Sequence, residues 1–416
     1  MKIDVEEELY VSAPEGMAVY AQNPSYVATE GLGLIEALKH EAMHIDPVLG
    51  EVYYHPRILR RRSDDNGRTW TEEPDLATDS LDTLAGEHRN VPMHVLDAKR
   101  NVLISLHSTY EFDPREPIFQ QGNLMERTYR MHYEISRDGG RTWTPAKQVI
   151  DCRRGYDATR WGPGIEFGKI GGVADLLACT WLPDGSLVFG LMVIGNVGAE
   201  EGAWGTMYVR ANWNDDGSDL QFRCGDLITL KAGQSRVGCV EPAVAYLGGE
   251  RLFNVMRCQG DEKRGIHSVR YSTISEDGGM TWSEPAPLQY DDGTTVWTPA
   301  SYSQFVRMSK TGKTYWIANI LPGPVYGQTP RYPLTIAEFD MERCCILRDT
   351  VQVIKDLPKG APYDRRYTNW GSYEDRETGD LIMTMPEQPK YMDWSEMTRP
   401  EDFTADCVRF RIKFAN

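Results

Sequence analysis

Apolar positions along this chain come in short runs cut by turn residues. Leu187-Val188-Phe189-Gly190-Leu191-Met192-Val193-Ile194 and Leu381-Ile382-Met383-Thr384-Met385 are two such runs, each of the length and bulk of a buried strand. Gly, Pro, Asn and Asp stand between the runs, and no stretch carries the 3.6-residue period of a long amphipathic helix. The pattern predicts an all-β protein.

Three of the interruptions share one form: Ser63-Asp64-Asp65-Asn66-Gly67-Arg68-Thr69-Trp70, Ser136-Arg137-Asp138-Gly139-Gly140-Arg141-Thr142-Trp143 and Ser275-Glu276-Asp277-Gly278-Gly279-Met280-Thr281-Trp282. In each, an Asp and an Asn or Gly stand where a tight hairpin needs side-chain capping and positive φ, and a Thr-Trp pair opens the next strand. These motifs predict scaffold turns rather than catalytic sites: the Asp accepts from turn amides and the Trp packs between neighbouring sheets. The form S-x-D-x-G-x-T-W resembles the Asp-box, or BNR repeat, of the sialidase (neuraminidase) superfamily of β-propellers. The first two boxes begin 73 residues apart and the second and third 139 apart, so one intervening repeat has lost its box, with Asn212-Trp213-Asn214-Asp215-Asp216-Gly217 as the remnant. A period of about 60 to 75 residues suits a four-stranded blade, and this length holds about six of them. The expectation is a six-bladed, sialidase-like β-propeller of four-stranded antiparallel blades. It forms a single domain over 1–416, because no Ser/Pro linker or low-complexity tract cuts the repeat.

Acidic residues exceed basic ones, 61 Asp plus Glu against 45 Lys plus Arg, which disfavours a nucleic-acid backbone or an anionic membrane as partner. A locally basic pocket for a small anionic substrate is compatible with that balance. Met1-Lys2-Ile3-Asp4-Val5-Glu6-Glu7-Glu8 lacks an apolar signal core and no run is long enough to span a bilayer, which predicts a cytoplasmic protein. Eight Cys without regular spacing read as reduced packing residues. No cofactor or metal is implied, since Asp215-Asp216 and Asp291-Asp292 are each followed by the Gly of an ordinary turn.

Four segments resemble sialidase motifs in the family's chain order. Gly162-Pro163-Gly164-Ile165 is similar to a G-P-G segment after the second box and reads as a turn. Val240-Glu241-Pro242 through Val255-Met256-Arg257 resembles the stretch in which a Glu opens one strand and an Arg closes the next. Pro330-Arg331-Tyr332-Pro333 places an Arg before a strand, as the family's last substrate-binding Arg is placed. Arg366-Tyr367-Thr368-Asn369-Trp370, with the later Glu387, is similar to the strand of the nucleophilic Tyr, for which Tyr373 is a nearby rival. The resemblance implies Tyr367 and Glu241 as a catalytic pair: a substrate carboxylate repels a carboxylate nucleophile but admits a neutral Tyr deprotonated by a neighbouring Glu. It implies Arg257 and Arg331 as substrate clamps, because a planar guanidinium grips a carboxylate through two parallel bonds.

Two positions depart from the family pattern. The stretch Gln22-Asn23-Pro24 stands where sialidases carry Arg-Ile-Pro, so Gln22 replaces the first arginine. One ionic hydrogen-bond partner contributes about 1.5–3 kcal/mol, so its loss weakens carboxylate recognition about 10- to 100-fold. The acid loop is altered as well: Leu38-Lys39-His40-Glu41-Ala42-Met43-His44-Ile45-Asp46 offers His40, Glu41 and Asp46 as proton donors, with Asp46 favoured.

A second cluster, Glu87-His88-Arg89-Asn90 with His94 and His107, has a chemistry of its own. A His that removes the proton α to a uronate carboxylate, and an Arg that neutralises that carboxylate, would perform β-elimination. His88 and Arg89 serve this only from a loop, since neighbours on a strand face opposite ways. His94 and His107 read as packing histidines. Three functions therefore compete. The leading one is an exo-acting retaining glycosidase that releases sialic acid or a related keto-sugar from an oligosaccharide or glycoside. The second is a polysaccharide lyase or rhamnosyl-glucuronate hydrolase acting through His88 and Arg89. The third is a non-catalytic carbohydrate-binding propeller stacking sugars on Trp161, Trp204, Trp297 and Tyr326. Sequence leaves the oligomeric state open.

Overall fold

The computed structural model describes residues 1–45, 52–73, 86–113, 115–116, 126–199, 202–361, 365–388 and 403–415. The described residues are almost entirely strands and turns, grouped in six antiparallel sheets. Four of these have four strands, as predicted for the blades of a six-bladed propeller, and two carry a fifth strand. The chain divides into two compact units, Met1–Lys2 with Arg127–Arg130 and Gln148–Asp356, and Ile3–Glu126 with Met131–Lys147 and Leu357–Asn416.

The unit built around Gln148–Asp356 holds three sheets. The first runs Gly171–Trp181, Leu187–Ile194, Gly205–Trp213 and Leu220–Cys224, each strand paired to the next. Leu187–Ile194 is its second strand, and Phe189, Leu191 and Val193 are wholly buried. Being covered on both faces explains why it reads as a continuous apolar run. The second sheet runs Cys239–Gly248, Arg251–Cys258, Arg270–Ser275 and Ala286–Pro287, and the third Gln304–Arg307, Thr314–Ala318, Leu334–Asp340 and Cys345–Ile346, with Gln352–Lys355 also pairing with Leu334–Asp340. These two share a core in which Phe253, Trp316, Phe339 and Ile346 meet.

The other unit also holds three sheets. One runs Met17–Tyr26, Leu34–Ile45, Val52–Ser63 and Thr71–Glu72. In the next, Gly86–Arg89 and Met93–Asp97 both pair with Val102–Phe112, followed by Arg130–Ser136 and Lys147–Gln148. The last joins the two ends of the chain: Gly371–Glu374, Leu381–Pro386 and Cys407–Phe414 are completed at the edge by Ile3–Val11, which runs antiparallel to Cys407–Phe414 with Ile3 opposite Phe414.

All three S-x-D-x-G-x-T-W motifs connect the third strand of a sheet to the fourth, and their bonding is the same. The Ser hydroxyls of Ser63, Ser136 and Ser275 donate to Asp65, Asp138 and Asp277 at 2.8 Å and accept the amides of Gly67, Gly140 and Gly279. Each Asp also takes the Thr amide and hydroxyl, at 2.6–2.9 Å. Each Trp indole donates to the Gly carbonyl. Four hydrogen bonds accepted by each carboxylate hold Asp65 and Asp138 far below the usual range, Asp65 down to about 2. Asn214–Ser218 occupies the same place in its sheet as a tight turn in which Asn214 Oδ1 accepts the Ser218 amide at 2.9 Å. It is the expected boxless repeat. Gly162–Ile165 is the expected turn, with the Ile165 amide on the Gly162 carbonyl at 3.1 Å.

Candidate active site

Each unit brings some of the sequence-selected residues together. In the unit around Gln148–Asp356 the strand Cys239–Gly248 breaks register with its partner between Val240 and Ala243. Glu241 sits in that break with φ +44°, a backbone region uncommon for non-glycine residues and concentrated at functional sites. Pro242 follows and cannot donate a ladder bond, so the irregularity is written into the sequence. Gly238, just before the strand, has φ +83° and lies so close to the neighbouring backbone that a Cβ would stand 2.0 Å from the Trp204 carbonyl oxygen.

The break turns Glu241 onto Arg257, which stands opposite Val240 on the next strand. Their side chains form an ion pair, 19% and 15% exposed. The pairing leaves two buried atoms without a hydrogen-bond partner, Glu241 Oε2 and Arg257 Nε. Two residues beyond Arg257, Gln259 accepts Gln328 Nε2 at 3.3 Å. Gln328 Oε1 in turn accepts Arg331 Nη2 at 3.1 Å. The third sequence-selected residue of this unit is thereby tied to the strand that carries Arg257. Arg331 is buried, and it also donates from Nε to the Gln328 carbonyl and from Nη2 to the Ala300 carbonyl, both at 3.2 Å. Gln259 and Gln328 are the members of this network that sequence reasoning missed; their partnership spans 69 residues and no local motif announces it. Cys239 is a packing residue: burial drives its thiol well above the ordinary range.

The other unit repeats the same backbone device. Strand Met17–Tyr26 breaks register between Gln22 and Ser25, and there Asn23, with φ +53°, precedes Pro24. Gln22 is buried and donates to the Asn369 carbonyl at 3.5 Å, so it lies against the segment that contains Tyr367. Tyr367 is 1% exposed. Arg366 beside it bonds through its amide to the Gln388 carbonyl, and Gln388 Nε2 donates to the Tyr20 hydroxyl at 2.5 Å. Glu387 is half-buried next to Gln388. The rival Tyr373 is elsewhere: its ring is edge-on to Tyr26 at 5.9 Å, and its hydroxyl faces the Gly67 turn.

Three expectations need correction or relocation. The stretch expected to be an acid loop is strand as far as Ile45, with His40 opposite both Val19 and Arg57. His40 and Glu41 consequently take opposite faces, and Glu41 pairs with Lys39 at 2.8 Å, the Lys39 ammonium lying over the Tyr20 ring. Asp46 lies outside the described residues. His88 and Arg89 are not on a loop either: they are neighbours on the strand Gly86–Arg89. His88 is buried, its Nε2 2.9 Å from the Phe112 carbonyl, whereas Arg89 grips the Glu134 carboxylate at 2.5 Å. The lyase pair is not assembled, because the strand's alternation sends the two side chains apart. Trp161 is fully buried, packed so tightly on Gly172 that a Cβ there would be 2.6 Å away, and stacks no sugar. Trp297 and Tyr326 remain half-buried.

No protein-family model and no curated protein matches the sequence. Solved structures do match in fold. The Hadza microbial sialidase Hz136 aligns with a TM-score of 0.56 at 14% identity over 94% of this chain and 65% of its own. A mutant of the NanB sialidase from Streptococcus pneumoniae aligns at 0.60 and 13% identity, over 97% of this chain and 70% of its own. The intramolecular trans-sialidase from Ruminococcus gnavus aligns at 0.56 and 13%, over 97% and 96%. The chain thus spans about two thirds of the first two and nearly all of the third. Six antiparallel sheets, the repeated turns and these alignments together give the chain a sialidase-like six-bladed β-propeller fold.

Proposed function

We propose that the protein is a glycoside hydrolase that releases a terminal acidic sugar with retention of configuration. The observation that carries this reading is Glu241: a carboxylate held on strained backbone, ion-paired to Arg257, with a buried oxygen left without a partner. A buried carboxylate oxygen without a partner calls for an explanation, and a proton-accepting role for Glu241 supplies one. The sialidase resemblance assigns the nucleophilic phenol to Tyr367 and the role of its general base to Glu241. The phenolate oxygen displaces the aglycone at the anomeric carbon, and water then displaces the phenol. Arg257 holds Glu241 in place through their ion pair and, with Arg331, recognises the substrate carboxylate. Gln22, uncharged and bonded to the Asn369 carbonyl, supports a substrate whose acidic group depends on fewer cations than sialic acid has in sialidases, such as a 2-keto-3-deoxy sugar. The likeness to two sialidases and a trans-sialidase supports the reaction class.

Aryl α-sialoside and aryl 2-keto-3-deoxy-glycoside are the substrates for the test, with aglycone release followed in the parent, Glu241→Gln, Tyr367→Phe and the double variant. Residues that act as one unit are grossly non-additive. Each single variant should lose at least about 100-fold in kcat, and the double variant no more than the worse single. Full additivity in the double variant, or undiminished release in either single, would overturn the assignment.

A further inference from the structure

We infer that the cavity beside Trp297 is a binding site for a neutral sugar residue, separate from the Glu241–Arg257 pair. The cavity, about 470 Å³, is lined by Tyr290, Thr294, Trp297, Leu321, Pro322 and Arg348. That volume lies within the range of small-molecule sites. Its apolar surfaces are fixed. Trp297 is bridged on one side to Val269 and on the other to Leu321, whose amide donates to the Trp297 carbonyl at 2.9 Å. The His267 ring stands edge-on to the indole at 5.5 Å. Tyr290 is buried, with the Arg348 guanidinium stacked over it at 4.2 Å.

The polar groups are fixed as well, and electrically balanced. Arg348 Nε pairs with Asp292 Oδ2 at 2.9 Å, and Nη2 donates to Thr294 Oγ1. Thr294 Oγ1 donates in its turn to Asp292 Oδ1 at 2.5 Å, and the Arg348 amide is held by Asp291 Oδ1 at 3.0 Å. A guanidinium has five N–H donors; Nε and one on Nη2 are used here, leaving three. An anion would compete with Asp292 for the arginine, and a purely apolar ligand would leave the donors unpaired at a desolvation cost. A neutral sugar ring suits both halves, laying its C–H face on an aromatic wall and presenting hydroxyl oxygens to the guanidinium.

The two segments that wall the cavity also hold Arg331. The Ala300 carbonyl, three residues beyond Trp297, accepts Arg331 Nη2 at 3.2 Å, and Asn319, two residues before Leu321, donates to the Arg331 carbonyl at 2.9 Å. The cavity and Arg331 thus share the segments that position them, so occupancy of the cavity bears on how Arg331 is held. Neither that link nor the binding rests on the function proposed above.

Maltotriose, galactotriose, mannotriose, xylotriose and arabinotriose are the probes, titrated calorimetrically against the full chain and against Trp297→Ala and Leu321→Trp. The first variant removes an aromatic wall, and the second fills the cavity from its rim without touching the core. At least one trisaccharide should bind with a dissociation constant near ~1 mM, and both variants should weaken it at least about tenfold. If Trp297→Ala does not fold, as judged by far-ultraviolet circular dichroism, Leu321→Trp decides alone. No binding by any trisaccharide at ten times that concentration, or unaltered binding in Leu321→Trp, overturns the inference. Failure of aryl-glycoside hydrolysis would sink the proposed reaction and leave these titrations untouched.

Discussion

Acid should destabilise this protein through two buried histidines well before its carboxylates matter. His94 on the strand Met93–Asp97 and His107 on Val102–Phe112 are 5% and 3% exposed. Burial pushes both imidazoles down, His94 well below its ordinary value and His107 to about 2, and the Arg60 and Arg89 guanidiniums add to the effect. Glu134 stands 3.9 Å from His107 Nδ1, but Arg89 holds that carboxylate at 2.5 Å, and Nδ1 has no hydrogen-bond partner. Desolvation therefore outweighs the attraction. A folded-state pKa below the unfolded one gives stability that is complete above the unfolded value, about 6.5 for histidine, and is lost as pH falls. From pH 7 to pH 5 each histidine costs about 2 kcal/mol, so ~4 kcal/mol for the two, against a total of roughly 5–15 kcal/mol for a folded domain. Glu36 and Glu73, raised by burial, act in the opposite sense but equally in parent and variants. Urea unfolding followed by tryptophan fluorescence at pH 7 and pH 5 measures the loss, and His107→Gln should shrink it by about 2 kcal/mol. An identical pH dependence in parent and variant would refute the reasoning.

Two further substitutions test the packing around the candidate site. Gly238→Ala must place a Cβ 2.0 Å from the Trp204 carbonyl at φ +83°, and should cost roughly 2–4 kcal/mol; an unchanged urea midpoint would contradict the close approach. Arg331→Lys loses the planar fork that serves Gln328 and Ala300 together. It should lower stability by about 1–2 kcal/mol and raise KM more than it lowers kcat, so a variant with parental KM would remove Arg331 from substrate binding.

The repeat was legible because its chemistry is local: Asp65 finds every partner between Ser63 and Thr69. Glu241 was singled out by the resemblance of Val240–Arg257 to a sialidase stretch; the register break and the positive φ that hold it show only in the structure. His40 and Glu41 were misplaced because the strand Leu34–Ile45 keeps going by pairing on both sides, with Met17–Tyr26 as far as Ala42 and with Val52–Ser63 from Leu34 opposite Ser63 to Ile45 opposite Val52. Its own residues, rich in Lys, His and Glu, carry little strand signal. His88 and Arg89 failed for the same reason, their strand being set by register with Thr109 and Tyr110. The Gln259–Gln328 link is a contact between two uncharged side chains on separate loops, and nothing in either neighbourhood points to the other.

The sheet that joins the chain's two ends imposes an order on folding. Ile3–Val11 is synthesised some 400 residues before its partner Cys407–Phe414, which is about 20–80 s of synthesis at ~5–20 residues per second. For that time its ladder groups are open to any passing strand. Glu6, Glu7 and Glu8 charge the waiting segment, and charged edges resist adventitious pairing. Once Cys407–Phe414 arrives, the same acids become its address label: Lys413 takes Glu6 and Arg409 takes Glu8. The same carboxylates thus charge the edge while it stands open and pair across it once the sheet is complete.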